Sequence, residues 1–219
     1  MPVNKEAYLQ IKAECDAAGV TLVAVSKIKP NEDIMTLYQL GHRDFGENYV
    51  QELLAKYEAL PKDIRWHFIG HLQSNKVKYI SRFIHLIHGV DSEKLLLAID
   101  KEGQKNAKVI DCLLQVHIAS EETKFGFDEA QLASMSVSHF ANARICGLMG
   151  MASFSNDENL VRSEFKKLKA LFNQLEQRIT AAAQWSTILS MGMSGDYKIA
   201  IEEGSNMVRI GSLLFGMRG

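Results

Sequence analysis

Proline is scarce in this chain: only Pro2, Pro30 and Pro61 occur among 219 residues, and no Ser/Gly-rich stretch separates one half from the other. With no linker to divide it, residues 1–219 are expected to form one domain. Cysteine is just as sparse. Cys15, Cys112 and Cys146 are odd in number, far apart and without CxxC spacing, which excludes a disulfide framework and the common thiolate zinc sites. Cys112 and Cys146 lie in apolar runs and read as small buried hydrophobes, so a reducing, cytoplasmic setting is expected. No window approaches 18 uninterrupted apolar residues, and MPVNKEAYLQ lacks the apolar centre of a signal peptide, so no membrane association is expected. Charge is balanced, with 25 basic against 26 acidic residues, and aromatics make up 8%. Neither a field nor a stacking platform for nucleic acid follows from that.

What the chain does have is apolar material, 47% of its residues, distributed in short runs. Eight runs read as strands: 21–26, 43–46, 66–69, 84–88, 112–118, 144–150, 187–191 and 207–210. Segments of helical spacing lie between them. In 158–179, Leu160, Val161, Phe165, Leu168, Leu171, Phe172, Leu175 and Ile179 recur every three or four residues, with Asn156 or Asp157 as the cap. Ser92 takes the same role ahead of Leu95, Leu96 and Ile99. Alternating strands and helices imply a parallel sheet, and eight such units in this length fit a closed (β/α)₈ TIM-type barrel. The open doubly wound alternative normally carries G-x-G-x-x-G after its first strand; here that strand runs into SKIKP. Residues 4–18 read as an extra N-terminal helix in front of the barrel.

A barrel places its functional groups on the loops at the C-terminal strand ends. Strand parity puts Val23, Val25 and Lys27 on one face, which carries the Lys27 amine to the barrel mouth if that face is the interior. Burial lowers the pKa of an amine and makes it a nucleophile able to form a Schiff base with a carbonyl. A rim lysine with its head in water is the competing reading. Ser194 follows the seventh strand and reads as the start of a helix, where its hydroxyl and free N–H groups suit an anion. Gly211 and Ser212 follow the last strand, where barrels commonly bind phosphate. Arg209 shares parity with Met207 and Gly211, and an inward arginine needs a partner. Asn48 comes just after the second strand. His67 and His71 stand four apart, but a strand-to-loop segment does not present them as a metal pair. The run 121–126, EETKFG, reads as a solvated turn.

Taken together, VAVSK, FGENYVQE, WHFIGHLQSNK, GLMGMA and LSMGMSGDY…AI…GS…VRIGSLLFG closely resemble the pyridoxal-phosphate (PLP) homeostasis proteins. These are barrel relatives of the N-terminal domain of alanine racemase, the fold-type III PLP proteins. The resemblance runs from about Val3 to Gly219 in the same motif order. It implies that Lys27 forms the internal aldimine with PLP and that Arg209 approaches the pyridine nitrogen. Ser194, Gly211 and Ser212 are the implied phosphate positions, and Asn48 lines the cofactor pocket. Two departures, HGVD at 88–91 and GSN at 204–206, fall outside those positions.

The resemblance further implies a role in PLP, vitamin B6 and amino-acid homeostasis without established catalysis. An arginine at the ring nitrogen only donates, and a neutral pyridine is a weak electron sink. A two-base racemase also needs a base on the opposite substrate face. In the racemases that base comes from a second domain, for which the chain leaves no room after Gly211. The expectation is a non-enzymatic PLP carrier, monomeric, with PLP-requiring apoenzymes as possible recipients. The alternative is a small PLP-dependent amino-acid racemase using His67 or Tyr49, and a purely protein-binding barrel is a third reading.

Overall fold

The computed structural model describes residues 3–119, 125–135, 139–180 and 187–216. Eight parallel strands close into a barrel in sequence order: β1 (Thr21–Val25), β2 (Asp44–Glu47), β3 (Arg65–Phe68), β4 (Leu86–Val90), β5 (Ile110–Val116), β6 (Ala143–Gly150), β7 (Ile188–Ser190) and β8 (Met207–Ile210). Closure is made by β1 against β8, with Thr21 opposite Met207 and Ala24 opposite Ile210. The eight runs of the sequence are these strands, with ends that differ by at most two residues. Most of EETKFG (121–124) lies outside the described residues.

Both faces of each strand are buried, which is why the strands read as short continuous apolar runs. Leu22, Ala24, Phe45, Trp66 and Phe68 point outward into the main core under the helices. Val23, Leu86, Leu113, Cys146, Met149 and Met207 form a second, smaller cluster inside the barrel. The parity expected for β1 therefore holds. Between Cys112 and Leu113 the pairing of β5 with β6 slips by one residue, leaving Cys146 as the extra residue of a bulge. Gly147 follows at φ +148°, and a Cβ there would stand 1.9 Å from the Ile188 carbonyl oxygen, so only glycine passes.

Helix α1 (Lys5–Ala17) is the expected extra helix, capped by Asn4, whose Oδ1 accepts from Ala7 N–H at 3.0 Å. Its Tyr8 packs edge-on against His42. The helices α2 (Asn31–Gln39), α3 (Val50–Ala59), α4 (Val77–Ile80), α5 (Glu93–Lys105), α6 (Glu129–Ser134), α7 (Glu158–Thr180), α8 (Tyr197–Glu202) and α9 (Ser212–Phe215) follow the strands. Ser92 caps α5 through Leu95 N–H at 3.4 Å. Asp157 rather than Asn156 caps α7, accepting from Asn159 and Leu160. All three cysteines are free and buried. No helix among the described residues is long and apolar enough to cross a membrane.

Candidate functional site

The loop after β1 is built around a buried ion cluster. Ser26 is fully buried, and its hydroxyl donates to Glu47 Oε1 at 2.5 Å. Lys56, inside α3, reaches back with its ammonium to the Ser26 carbonyl (2.8 Å), Glu47 Oε1 (2.8 Å) and Glu52 Oε1 (2.6 Å). Glu52 Oε1 also accepts the Ile28 N–H at 2.6 Å. Both residues flanking Lys27 are thus tied to the same cluster. Ile28 holds φ +60°, an uncommon conformation for a β-branched residue. Lys29 donates to the Phe215 carbonyl at 2.8 Å, tying the loop to α9. Burial raises the Glu47 carboxyl above the usual glutamate range, although Lys56 and Ser26 pull it back down.

Opposite this loop stands the turn between β7 and α8. Met193 N–H donates to Asp196 Oδ1 at 2.6 Å, and the Asp196 and Tyr197 N–H groups return to the Met193 carbonyl. The turn bonds do not engage the N–H groups of Ser194 and Gly195. Ser194 Oγ accepts from Gly211 N–H at 3.3 Å, joining this turn to the end of β8. The expectation that Ser194 starts the helix is corrected: α8 begins at Tyr197 with Asp196 at the cap position. Asp196 folds back onto Met193, and that local bond displaces the start of the helix.

Arg209 enters from β8 with 4% of its surface exposed. Its Nη1 donates to the Ser190 carbonyl (2.8 Å) and Ser190 Oγ (2.7 Å), and its Nη2 donates to the Gly150 carbonyl (3.0 Å). None of these bonds uses Nε. The partners that an inward arginine needs are thus neutral oxygens. Burial lowers the guanidinium to about 10, partly offset by Asp196, so it stays charged at neutral pH.

A cavity of about 480 Å³ at the C-terminal mouth collects all six residues singled out in the sequence: Lys27, Asn48, Ser194, Arg209, Gly211 and Ser212. Val25, Lys29, Ile69, Phe154 and Asp196 also line it. Sequence reasoning did not pick out Lys29 or Gly195; their nearness in sequence to Lys27 and Ser194 was the available signal. Lysine and arginine outnumber the one lining carboxylate, which suits an anionic ligand. Two features fit a flat, polar, phosphorylated guest. Asn48 Oδ1 is buried with no hydrogen-bond partner among the described residues, so it can accept from a guest's donor. At Gly195 a Cβ would meet nothing within 4 Å, so the backbone there is open to a ligand. Gly70 lets the next strand pass close by, since a Cβ on it would lie 2.6 Å from the Asn48 carbonyl oxygen.

The histidines go elsewhere. His67 is fully buried and makes its bonds to Asp44 and His88, while His71 donates from Nδ1 to Asp91 Oδ2 at 2.8 Å on the outside. Neither His67 nor Tyr49 lines the mouth cavity, and Tyr49 is 53% exposed. Asp44, His67 and His85 each bring a possible ligand atom within 4.8 Å of the others. Arg65 already occupies both Asp44 oxygens, at 2.7 and 2.5 Å, so a guanidinium holds the place a metal cation would need.

A closed parallel barrel with a cationic mouth lined from the ends of β1, β2, β7 and β8 is the architecture of the PLP-binding barrels. Residues 5–219 match the family model "Alanine racemase, N-terminal domain". The chain is 41% identical over 217 residues to a pyridoxal phosphate homeostasis protein of Aquifex aeolicus, covering 95% of this chain and 94% of the relative. It is 37% identical to the corresponding protein of Schizosaccharomyces pombe, covering 95% and 89%. Among solved structures, PipY of Synechococcus elongatus with PLP bound superposes with TM-score 0.86 at 33% identity, covering 96% of this chain and 99% of that one. Alanine racemase of Bartonella henselae, at 18% identity and TM-score 0.73, shares the fold over 60% of its length. The chain belongs to the pyridoxal phosphate homeostasis protein family.

Proposed function

We propose that this protein binds PLP in the mouth cavity and holds it, without turnover, for cellular PLP homeostasis. The observation that carries the reading is the convergence of Lys27, Asn48, Ser194, Arg209, Gly211 and Ser212 on one cavity. PLP supplies an aldehyde that condenses with a primary amine, with loss of one water, and a phosphate dianion. Lys27 is the amine placed to receive the aldehyde, on a loop held from both sides by the Glu47–Lys56–Glu52 cluster. The hydroxyls of Ser194 and Ser212, with the N–H groups of Ser194 and Gly195, take the phosphate. Arg209 offers Nε toward the ring nitrogen, and Asn48 Oδ1 accepts from a polar ring substituent.

The same geometry supports a reading without turnover. Arg209 only donates, so it keeps the ring nitrogen unprotonated and weakens the cofactor as an electron sink. Neither His67 nor Tyr49, the candidate bases for a racemase, lines the cavity. A monomer in the cytoplasm fits this role, and three buried free thiols suit a reducing compartment. PLP-requiring apoenzymes are the natural recipients.

Titration of the protein with PLP should produce a visible absorbance band that survives desalting and disappears in Lys27→Ala. A wild-type protein that develops no band would refute the reading. Incubating the PLP-loaded protein with L-amino acids in deuterated water should leave Cα unlabelled beyond the no-protein control; labelling would establish turnover instead.

A further inference from the structure

Five buried polar side chains from five strands are joined end to end through the barrel interior. Arg209 Nη1 donates to Ser190 Oγ at 2.7 Å, and Ser190 Oγ lies 3.1 Å from His88 Nδ1. His88 Nε2 lies 2.9 Å from His67 Nδ1, and His67 Nε2 lies 3.1 Å from Asp44 Oδ1. Ser190, His88 and His67 are fully buried, and Asp44 is 8% exposed. The bond from His88 on β4 to Ser190 on β7 joins strands that are not neighbours, so it crosses the interior.

Two singly protonated imidazoles leave this run one direction. A carboxylate only accepts, so His67 must present Nε2–H to Asp44. Burial pushes the Asp44 carboxyl up, but bonds from Arg65 and His67 outweigh it and hold the group well below the usual range. In a ring with one proton, placed on Nε2, the His67 Nδ1 is an acceptor, so His88 must carry its proton on Nε2. His88 Nδ1 then accepts the Ser190 hydroxyl proton, which turns a lone pair of Ser190 Oγ toward Arg209. A guanidinium has only donors, and this orientation leaves it a serine lone pair to bond. Burial depresses the His88 imidazole well below its ordinary value, which favours the neutral ring.

We propose that Asp44, His67, His88 and Ser190 form a positioning relay for Arg209, clamping Nη1 so that Nε faces the cofactor cavity. Its functional half rests on the PLP reading above; its hydrogen-bond order does not. None of the four residues touches the cavity, and each acts through the next.

Two measurements test the relay. Nitrogen-15 NMR of the histidine rings in protein without PLP, near neutral pH, should show His67 and His88 both neutral and both Nε2–H. A His88 Nδ1–H ring, or an imidazolium at either position, would overturn the proposal. Ser190→Ala removes one hydroxyl and should weaken PLP affinity about tenfold, the effect of one lost bond to a charged group. Ser190→Thr, which keeps the hydroxyl, should recover most of that loss. In an Arg209→Ala background Ser190→Ala should change affinity by less than about twofold, since its effect passes through Arg209. Equal losses in both backgrounds would assign Ser190 a packing role and overturn the relay. If the wild-type protein takes up no PLP, the cofactor reading fails, while the ring tautomers still decide the ordering of Arg209.

Discussion

Replacing Lys56 by methionine perturbs the cluster on which the Lys27 loop rests. The Lys56 and Glu47 side chains are 6% and 0% exposed, whereas Glu52 is 23% exposed. Methionine keeps most of the volume of Lys56 and removes the ammonium. Glu52 can turn toward water, so its bond adds little. Glu47 cannot: its Oε2 already lacks a partner among the described residues, and Oε1 would keep only the Ser26 hydroxyl. Leaving one member of a buried pair uncompensated costs roughly 3–5 kcal/mol. At about 2–4 °C per kcal/mol for a chain of this size, Tm should fall by roughly 6–20 °C.

The loss depends on pH, with a definite sign. Burial is the largest influence on Glu47 and raises its pKa above the unfolded value. A carboxyl raised in this way binds its proton more tightly in the folded state. Its contribution is therefore complete below the ordinary glutamate pKa and is lost as pH rises through the raised value. Without Lys56 the value rises further, so the deficit of the variant is small at about pH 5 and large at about pH 7.5. Urea unfolding at both pH values measures it, and Glu47→Gln added to Lys56→Met should recover most of the neutral-pH loss. A deficit below about 1 kcal/mol at neutral pH, or one equal at both, would refute the reasoning.

Three further outcomes are expected. Arg209→Ala should weaken PLP affinity by roughly 10- to 150-fold, the equivalent of about 1.5–3 kcal/mol for a bond to a charged group, measured by equilibrium titration. Ile28→Gly should leave stability unchanged or raise it by up to about 1 kcal/mol in urea unfolding, because glycine removes the cost of φ +60° at an exposed site; a loss above about 1 kcal/mol would show that the side chain packs. Gly147→Ala should destabilise by about 3 kcal/mol or more, since the new methyl meets backbone at 1.9 Å that no rotamer relieves.

Much of the fold was legible because burial on both faces writes each strand as a short apolar run between helical periods. The parity of Val23, Val25 and Lys27 carried the lysine to the mouth, and the interior cluster with Val23 bears that parity out. Ser194 was placed in the right loop with the wrong local structure, because the bond from Met193 N–H to the Asp196 side chain decides where the helix begins. The i, i+4 pair Glu52 and Lys56 is visible in sequence. That its lysine reaches back to Ser26 and Glu47 is not, since the partners are set by how α3 lies on β1 and β2.

By itself the sequence determined the strands, the inward faces of β1 and β8, and the polar residues that end them, since these follow from side-chain period and local turn chemistry. Only the tertiary structure decided who meets whom across the barrel. Closure of β1 on β8 brings Lys27 within one cavity of Arg209 and Ser212, although the chain separates them by almost its full length. The same closure puts His88 against Ser190 and gives Arg209 neutral partners in place of a carboxylate. Contacts of that range depend on strand order and shear, which no local pattern of residues encodes.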